Sequence, residues 1–263
     1  IRVYEEYVDS YPRPLDIAME TRHRLSEIYH EQLDYQRFFD ELNEMVEEDR
    51  NAGEDRTDRS RFLAAKAALV LAERDYKAFA RLELTQPFEQ SLALKQTSMD
   101  DTLATLEALV SYEVAVVTAA ATYYIAQVYL IFSASLLDSE RPEGLTQAEM
   151  NSYELVIEEE AYPFEEQAIT VHEENFELLA VGIYNPWVQK SLDRLADLMP
   201  GRYAKDESSE GFVGSIEIYA YRMPIAPPDP VEGDGGIDVS ENTEDAGGEE
   251  RRVVVSTNAE GTP

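Results

Sequence analysis

Apolar residues recur at helical spacing along most of the chain. Between residues 14 and 46 they form two stripes at steps of three and four, with a break near Leu33-Asp34. Such steps bring side chains to one face of a helix, so two stripes and a break predict a helical hairpin. The hairpin is expected to begin at Asp16 as a cap and to end at Asn51-Ala-Gly53. The stripes comprise Ala18, Thr21, Leu25 and Ile28, then Tyr35, Phe38, Leu42 and Met45.

The same pattern continues to about residue 203. Further helices are predicted over residues 65–79, 92–110 and 114–137, and Thr146-Gln-Ala-Glu149 has the side chains of a capping box that starts another. Pro163 should kink or restart that helix. Asn185-Pro186 then combines a preferred cap with a proline at the first helical position. The pattern predicts an all-α fold.

Two of these segments share a motif of tetratricopeptide (TPR) repeats, which are antiparallel helix pairs of about 34 residues. Leu25-Ser26-Glu-Ile-Tyr29 and Ile125-Ala126-Gln-Val-Tyr129 each place a large and a small residue before a tyrosine, 100 residues apart. That separation is close to three repeats. We therefore expect residues 1–203 to form a TPR-like helical-hairpin solenoid, the C-terminal part of a longer array.

The composition changes after residue 203, where Pro, Gly, Asp and Glu become frequent and apolar periodicity is lost. Residues 204–263 are predicted to be an extended or disordered acidic tail. Within it, residues 212–221 alternate as a short strand does. This segment either packs on the last helices or adds a strand to the exposed sheet edge of a partner.

Charge and cysteine content limit the classes of partner and the kinds of site that this chain can have. The chain has 54 acidic and 22 basic residues, a formal charge of −32, and no cysteine. Such a charge repels nucleic acid and favours proteins with basic surfaces, while the missing cysteines exclude disulfides and thiolate metal sites. Residues 114–137 are uncharged, but their many polar groups and the absence of flanking Lys/Arg clusters favour a buried helix over a membrane span.

No residue pattern indicates an enzyme. His23, His30 and His172 lack the spacing of a metal pair, and His172 precedes Glu173-Glu174 on what should be a solvated face. Carboxylate runs such as residues 158–160 follow from the acidic composition, and no phosphate-binding loop or nucleophile elbow is present. We expect no catalytic residues, no cofactor and no metal.

Aromatic side chains are the better candidates for binding. The chain has 16 tyrosines, which fill the junctions of helix-pair solenoids and, in a minority, serve as binding anchors on the concave face. The candidate partner-binding residues are Tyr29, Tyr35, Tyr129, Trp187, Tyr219 and Tyr221.

Several blocks between residues 64 and 203 occur in an order that resembles a known family. They are Ala67-Ala-Leu-Val-Leu-Ala72 with Tyr76 and Phe79, Ile125-Ala126-Gln-Val-Tyr129, Pro142-Glu-Gly-Leu-Thr146, Tyr153, Ala161-Tyr-Pro163-Phe-Glu-Glu166, Ala168, and Tyr184-Asn-Pro-Trp187-Val188 with Leu192, Leu195 and Leu198. This region resembles the C-terminal part of long TPR proteins of the Gram-negative cell envelope, of the gliding-motility and TonB/ExbB/ExbD-associated type. The resemblance implies a scaffold in a periplasmic assembly, although the sequence itself leaves the cytoplasm open.

The sequence thus predicts a non-catalytic scaffold or adaptor that holds other proteins in a cell-envelope assembly. The alternative is a structural subunit of a homomeric or heteromeric filament or large complex.

Overall fold

A computed structural model describes residues 1–204, and every regular element in this part of the chain is helical. The predicted all-α fold is confirmed for these residues. The predicted tail and its strand near 212–221 lie outside the described residues. The helices are α1 (Arg2–Ser10), α2 (Leu15–Glu31), α3 (Tyr35–Arg50), α4 (Asp58–Ala80), α5 (Phe88–Val110), α6 (Ala115–Leu137), α7 (Gln147–Glu177), α8 (Pro186–Leu198) and α9 (Pro200–Tyr203), with short 3-10 turns at Gly53–Asp55 and Leu178–Val181.

Local side-chain caps set several helix starts. At α7, Thr146 and Glu149 form the predicted capping box, in which each side chain accepts a hydrogen bond from the other residue's backbone N–H. At α8, the Asn185 side chain accepts hydrogen bonds from the backbone N–H groups of Trp187 and Val188. Both predicted starts are confirmed because these signals act within one helical turn.

Two local predictions, the Asp16 cap and a restart of the helix at Pro163, fail. Helix α2 starts directly after Pro14, and Asp16 accepts a hydrogen bond from the Thr57 hydroxyl at 2.6 Å instead of capping its own helix. Helix α7 does not restart at Pro163 but runs through it. Pro163 is exposed, as is Glu159 one turn earlier, so water can satisfy the backbone carbonyl that proline leaves without its donor.

The helices pack in chain order and also in an alternating row. Each helix contacts the next one, and α2, α4, α6 and α8 contact one another successively. We call these four helices the first-helix row, because α2, α4 and α6 are each followed by a second helix that packs along it and α8 continues the row. The pairs α2/α3, α4/α5 and α6/α7 are therefore consecutive hairpins.

The hairpins lengthen along the chain. The first-helix row starts at residues 15, 58, 115 and 186, which gives steps of 43, 57 and 71 residues. All three steps exceed the TPR length of about 34 residues. The two TPR-like segments, on α2 and α6, consequently lie two hairpins apart and not three, because the later helices are longer.

Helix α4 joins two cores. One face of α4 packs in a smaller core with α2 and α3, while another packs in a larger core with α5, α6 and α7. Alanines on both faces allow the neighbouring helices to approach closely. The α4 residues of the smaller core are Leu63, Ala64 and Ala67, and those of the larger core are Ala65, Ala72 and Phe79.

Helix α6 is the one described helix that is long and apolar enough to cross a membrane by length and composition. In the structure it packs against α4, α5, α7 and α8. Ala119, Ala120, Ala121 and Ala126 are fully buried in these contacts. Helix packing thus accounts for the uncharged composition of this segment.

Candidate functional site

A groove opens between the C-terminal halves of α2 and α4, and its floor is the start of α3. We call it the α2–α4 groove; its volume is about 860 Å³. This size lies at the upper end of the range for ligand pockets. One wall includes Glu27, His30 and Glu31 of α2. The other, the α4 wall, includes Lys66, Arg74 and Lys77 of α4 and Arg81, which directly follows the helix. The floor includes Tyr35, Phe38, Phe39, Leu42 and Met45.

The groove exists because α2 and α4 are tied together at one end only. There, the Thr57 hydroxyl donates to Asp16, and Arg59 pairs with Glu20. Along the groove itself, no hydrogen bond or ion pair within residues 1–204 connects the two helices. The same end is held by apolar contacts of the smaller core, which include Leu15, Met19, Leu63, Ala64 and Ala67.

The floor of the groove is aromatic and only partly covered. Phe38 and Phe39 are half-buried, and their ring centroids are 5.1 Å apart. The His30 ring lies 4.9 Å from Phe38, and the Arg74 guanidinium lies 4.8 Å above Phe39. Tyr35 is 50% exposed at the edge. Partly covered rings of this kind gain apolar burial when a partner excludes water from them.

A second feature on the first-helix row is a cluster of aromatic rings from α4, α6 and α8, which we call the aromatic cluster. Tyr76 lies 4.8 Å from Tyr124, and Trp187 lies 5.2 Å from Tyr124 and 5.6 Å from Tyr123. The Lys190 ammonium lies 3.9 Å from the centroid of Trp187, in the geometry of a cation–π contact. All four rings remain partly exposed.

Two phenols of the aromatic cluster, those of Tyr124 and Tyr76, are held neutral. Burial raises the pKa of Tyr124, and the carboxylate of Glu73 adds to this effect. Burial also raises the pKa of Tyr76. Because Glu73 also lines the α2–α4 groove, it marks the point where the two features meet on α4.

Buried polar side chains of α6, α7 and α8 form a hydrogen-bonded network next to the aromatic cluster. His172 of α7 is fully buried; its Nε2 lies 3.1 Å from Nε2 of Gln127, and its Nδ1 lies 3.1 Å from the Ser191 hydroxyl. Asn175 donates to Ser191 Oγ at 2.8 Å and to the Ala119 carbonyl at 3.0 Å. The prediction of a solvated His172 is wrong, because α6 and α8 cover this face of α7.

The predicted partner-binding residues fall into different environments. Tyr29 is 2% exposed and its hydroxyl donates to Glu5 at 2.6 Å, so it packs in the interior and we leave it out of the candidate surface. Tyr35 lines the groove, and Trp187 belongs to the aromatic cluster. Tyr129 is half-buried and packs against the larger core. Tyr219 and Tyr221 lie outside the described residues.

Several residues of the groove belong to no sequence motif from which their position could be predicted. One signal was available: Phe38 and Phe39 are adjacent, and adjacent helical positions point about 100° apart. A single core cannot bury both rings, so one of them must lie toward an edge. The basic residues of α4 could not be predicted to line a groove, since basic residues on a helix are ordinarily solvated.

Among residues 1–204, no cluster of three or more His, Asp or Glu side chains is arranged to hold a metal ion. The carboxylates at residues 158–160 are exposed. Apolar rings flanked by charges can hold an apolar segment and orient it by its charge.

The chain matches no protein-family model, no characterised protein and no solved structure.

Proposed function

We propose that this chain is a non-catalytic scaffold that binds segments of partner proteins along its first-helix row. The observation that carries the proposal is the row itself: α2, α4, α6 and α8 contact one another successively, and both partly exposed aromatic features lie along them. Stacked helix pairs present an extended, rigid surface because each pair contacts only its neighbours. In this proposal the array is a TPR-like solenoid with unusually long hairpins.

The two aromatic features suit the same task. The α2–α4 groove and the aromatic cluster meet at Glu73 on α4, so a partner segment can follow one to the other. Half-buried aromatic residues are typical anchors of protein interfaces, because they add large apolar contacts at little cost in side-chain entropy. A partner with basic stretches is further favoured by the formal charge of −32.

A cell-envelope setting is part of the proposal. It rests on the resemblance of residues 64–203 to long TPR proteins of the Gram-negative envelope.

The proposal is tested by capture followed by direct binding. The whole chain is immobilised, proteins retained from a cell-envelope extract are identified by mass spectrometry, and each is then purified and titrated calorimetrically. We expect binding to weaken about tenfold or more in Trp187→Ala, because truncating an aromatic anchor commonly costs at least about 1.4 kcal/mol.

The matched control is Tyr162→Ala on α7, which removes an aromatic ring that is 58% exposed and lies off the first-helix row. Its affinity should stay within about twofold of the unmodified chain. Circular dichroism establishes that both variants keep their helix content. The proposal fails if no purified protein binds, or if Tyr162→Ala weakens binding as much as Trp187→Ala does.

One observation favours the alternative of a filament or large-complex subunit. Helix α7 exposes Leu155 (57%), Val156 (53%) and Tyr162 (58%), and none of the described helices covers them. An exposed apolar strip can be buried by another subunit. We rank this alternative second because the charge of −32 makes copies of the chain repel one another.

A further inference from the structure

The α2–α4 groove has an unusual balance of charge for so acidic a chain. Its α4 wall has four cations and its α2 wall has two carboxylates, while the whole chain carries 54 acidic and 22 basic residues. Among residues 1–204, the only other acidic residue that lines the groove is Glu73. The cations, all of them exposed, are Lys66, Arg74, Lys77 and Arg81.

These cations are only partly neutralised by residues 1–204. Arg74 pairs with its neighbour Asp75 at 3.3 Å, and Lys77 lies 3.9 Å from Glu73. Lys66 and Arg81 form no ion pair with the described residues, and no pair crosses the groove from Glu27 or Glu31 to α4. The α4 wall therefore faces the groove with positive charge that a partner can neutralise.

The length of the α4 wall indicates how long a bound segment of a partner should be. Lys66 and Arg81 are 15 residues apart, so they are separated by about 22 Å along the helix axis. A helical segment of about 15 residues spans the same distance. Its apolar ridge would cover Phe38 and Phe39.

A helix fits this floor better than an extended chain. Both walls and the floor are helices, whose backbone groups are already hydrogen-bonded internally and cannot pair with a strand. An extended segment would leave its own N–H and C=O groups without partners over the phenylalanine rings, which is unfavourable. A helix satisfies its own backbone.

We propose that the α2–α4 groove binds an acidic amphipathic helix of a partner protein, with its carboxylates toward Lys66 and Arg81 and its apolar ridge on Phe38 and Phe39. The inference rests on the scaffold function proposed above and names the class of segment that this part of the scaffold holds. Recognition by an apolar ridge at positions i, i+3, i+4 and i+7 is the usual mode for a helix in a groove.

The test uses a phage-displayed library of random 15-residue peptides, selected against the whole chain. We expect the enriched peptides to carry apolar residues at helical spacing and an excess of Asp and Glu. A synthetic, fluorescein-labelled enriched peptide is then titrated by fluorescence polarisation. Its affinity should fall about tenfold in the double variant Lys66→Glu/Arg81→Glu, because two favourable rim contacts become repulsive.

The matched control is Arg50→Glu/Arg202→Glu, which makes the same change in net charge at exposed arginines outside the groove. It should change the affinity by no more than about twofold, since distant surface charges are largely screened. A second groove variant, Phe39→Ser, removes one aromatic ring of the floor without altering charge. It should also weaken the peptide, and circular dichroism verifies that it remains folded.

Three results would overturn the inference: basic peptides that the groove variants weaken, equal weakening by the two charge-reversal variants, or no enrichment of any peptide that depends on the groove. Self-association that the groove variants abolish would also overturn it, since the occupant would then be a second copy. If the peptide library fails but captured proteins still depend on Trp187, only the groove inference falls. If neither peptides nor proteins bind, the scaffold function falls with it.

Discussion

The imidazole of His172 is enclosed by polar groups from α6 and α8. The Gln127 amide nitrogen can only donate, so Nε2 of His172 accepts, and the ring proton lies on Nδ1, directed at Ser191. Arg194 supports this orientation of the amide, since it donates to Gln127 Oε1 at 3.4 Å. Protonating Nε2 would bring two donors face to face. The site therefore stabilises the neutral ring.

This arrangement predicts a pH dependence of stability. Burial, assisted by the positive charge of Arg194, lowers the pKa of His172 from 6.5 to about 4. Between these two values the unfolded chain binds the proton more readily than the folded chain does. The free energy of unfolding should consequently fall by about 3 kcal/mol as the pH drops from above 6.5 to 4.

The measurement is urea unfolding of the unmodified chain and of His172→Gln at several pH values. The difference in unfolding free energy between the two proteins should shrink as the pH falls. Carboxylates that titrate in the same range occur in both proteins and cancel in this difference. A difference that stays constant from pH 7 to pH 4 would contradict the prediction.

At the scale of a single helix, a buried charge stabilises the C-terminal end of α4. Lys95 of α5 is fully buried, and its ammonium donates to the carbonyls of Phe79 at 3.1 Å and Leu82 at 2.7 Å. It also lies 4.3 Å from the centroid of the Phe79 ring. Burial lowers the pKa of Lys95. A cation at this position is nevertheless favourable, because it interacts with the partial negative charge at the C-terminal end of α4.

We expect Lys95→Met to destabilise the fold by about 2 kcal/mol, because the buried carbonyl of Phe79 and the partly buried carbonyl of Leu82 would lose their donor. Guanidinium unfolding measures this change. Lys77→Met is the matched control on α4, since Lys77 is exposed and its loss should change stability by less than about 0.5 kcal/mol. Equal effects of the two variants would show that Lys95 does not cap the helix.

At the scale of the whole molecule, net charge and the exposed strip on α7 act in opposite directions. The strip of Leu155, Val156 and Tyr162 favours self-association, while 54 acidic residues against 22 basic ones oppose it. Charge repulsion is screened by salt, whereas apolar attraction is not. The balance can therefore be measured by changing the ionic strength.

We expect a monomer of 29.8 kDa by light scattering at about 0.1 M salt and at about 1 M salt, where the screening length falls from about 10 Å to about 3 Å. The protein concentration is varied at both ionic strengths. A mass that rises with concentration at high salt, and that Val156→Asp returns to the monomer value, would favour the filament subunit over the scaffold.

Local signals allowed most helices to be predicted from the sequence. The capping box of Thr146 and Glu149 and the cap at Asn185 act within one turn, and the spacing of Leu42 and Met45 reports a buried stripe whatever covers it. Pro163 shows the limit of such signals. A proline costs a helix one hydrogen bond and crowds the carbonyl one turn earlier, and at this exposed site water can bind the carbonyl that lacks a donor.

The candidate site depended on contacts that no local signal contains. Tyr29 belongs to the TPR-like motif but lies in the interior, and its hydroxyl contacts Glu5 of α1. His172 precedes two glutamates and yet is fully buried. Periodicity identifies one face of a helix, but it does not reveal which neighbour covers the other faces.

The sequence by itself determined the all-α class of the described residues, the starts of α7 and α8 and the acidity of the chain, because these follow from composition and from interactions within a few residues. Only the tertiary structure decided that α2 and α4 are tied at one end and open at the other, and that four cations of the α4 wall lie beside the rings of α3. Such features arise where helices distant in the chain meet. Their geometry depends on helix lengths and on side-chain volumes across the whole array.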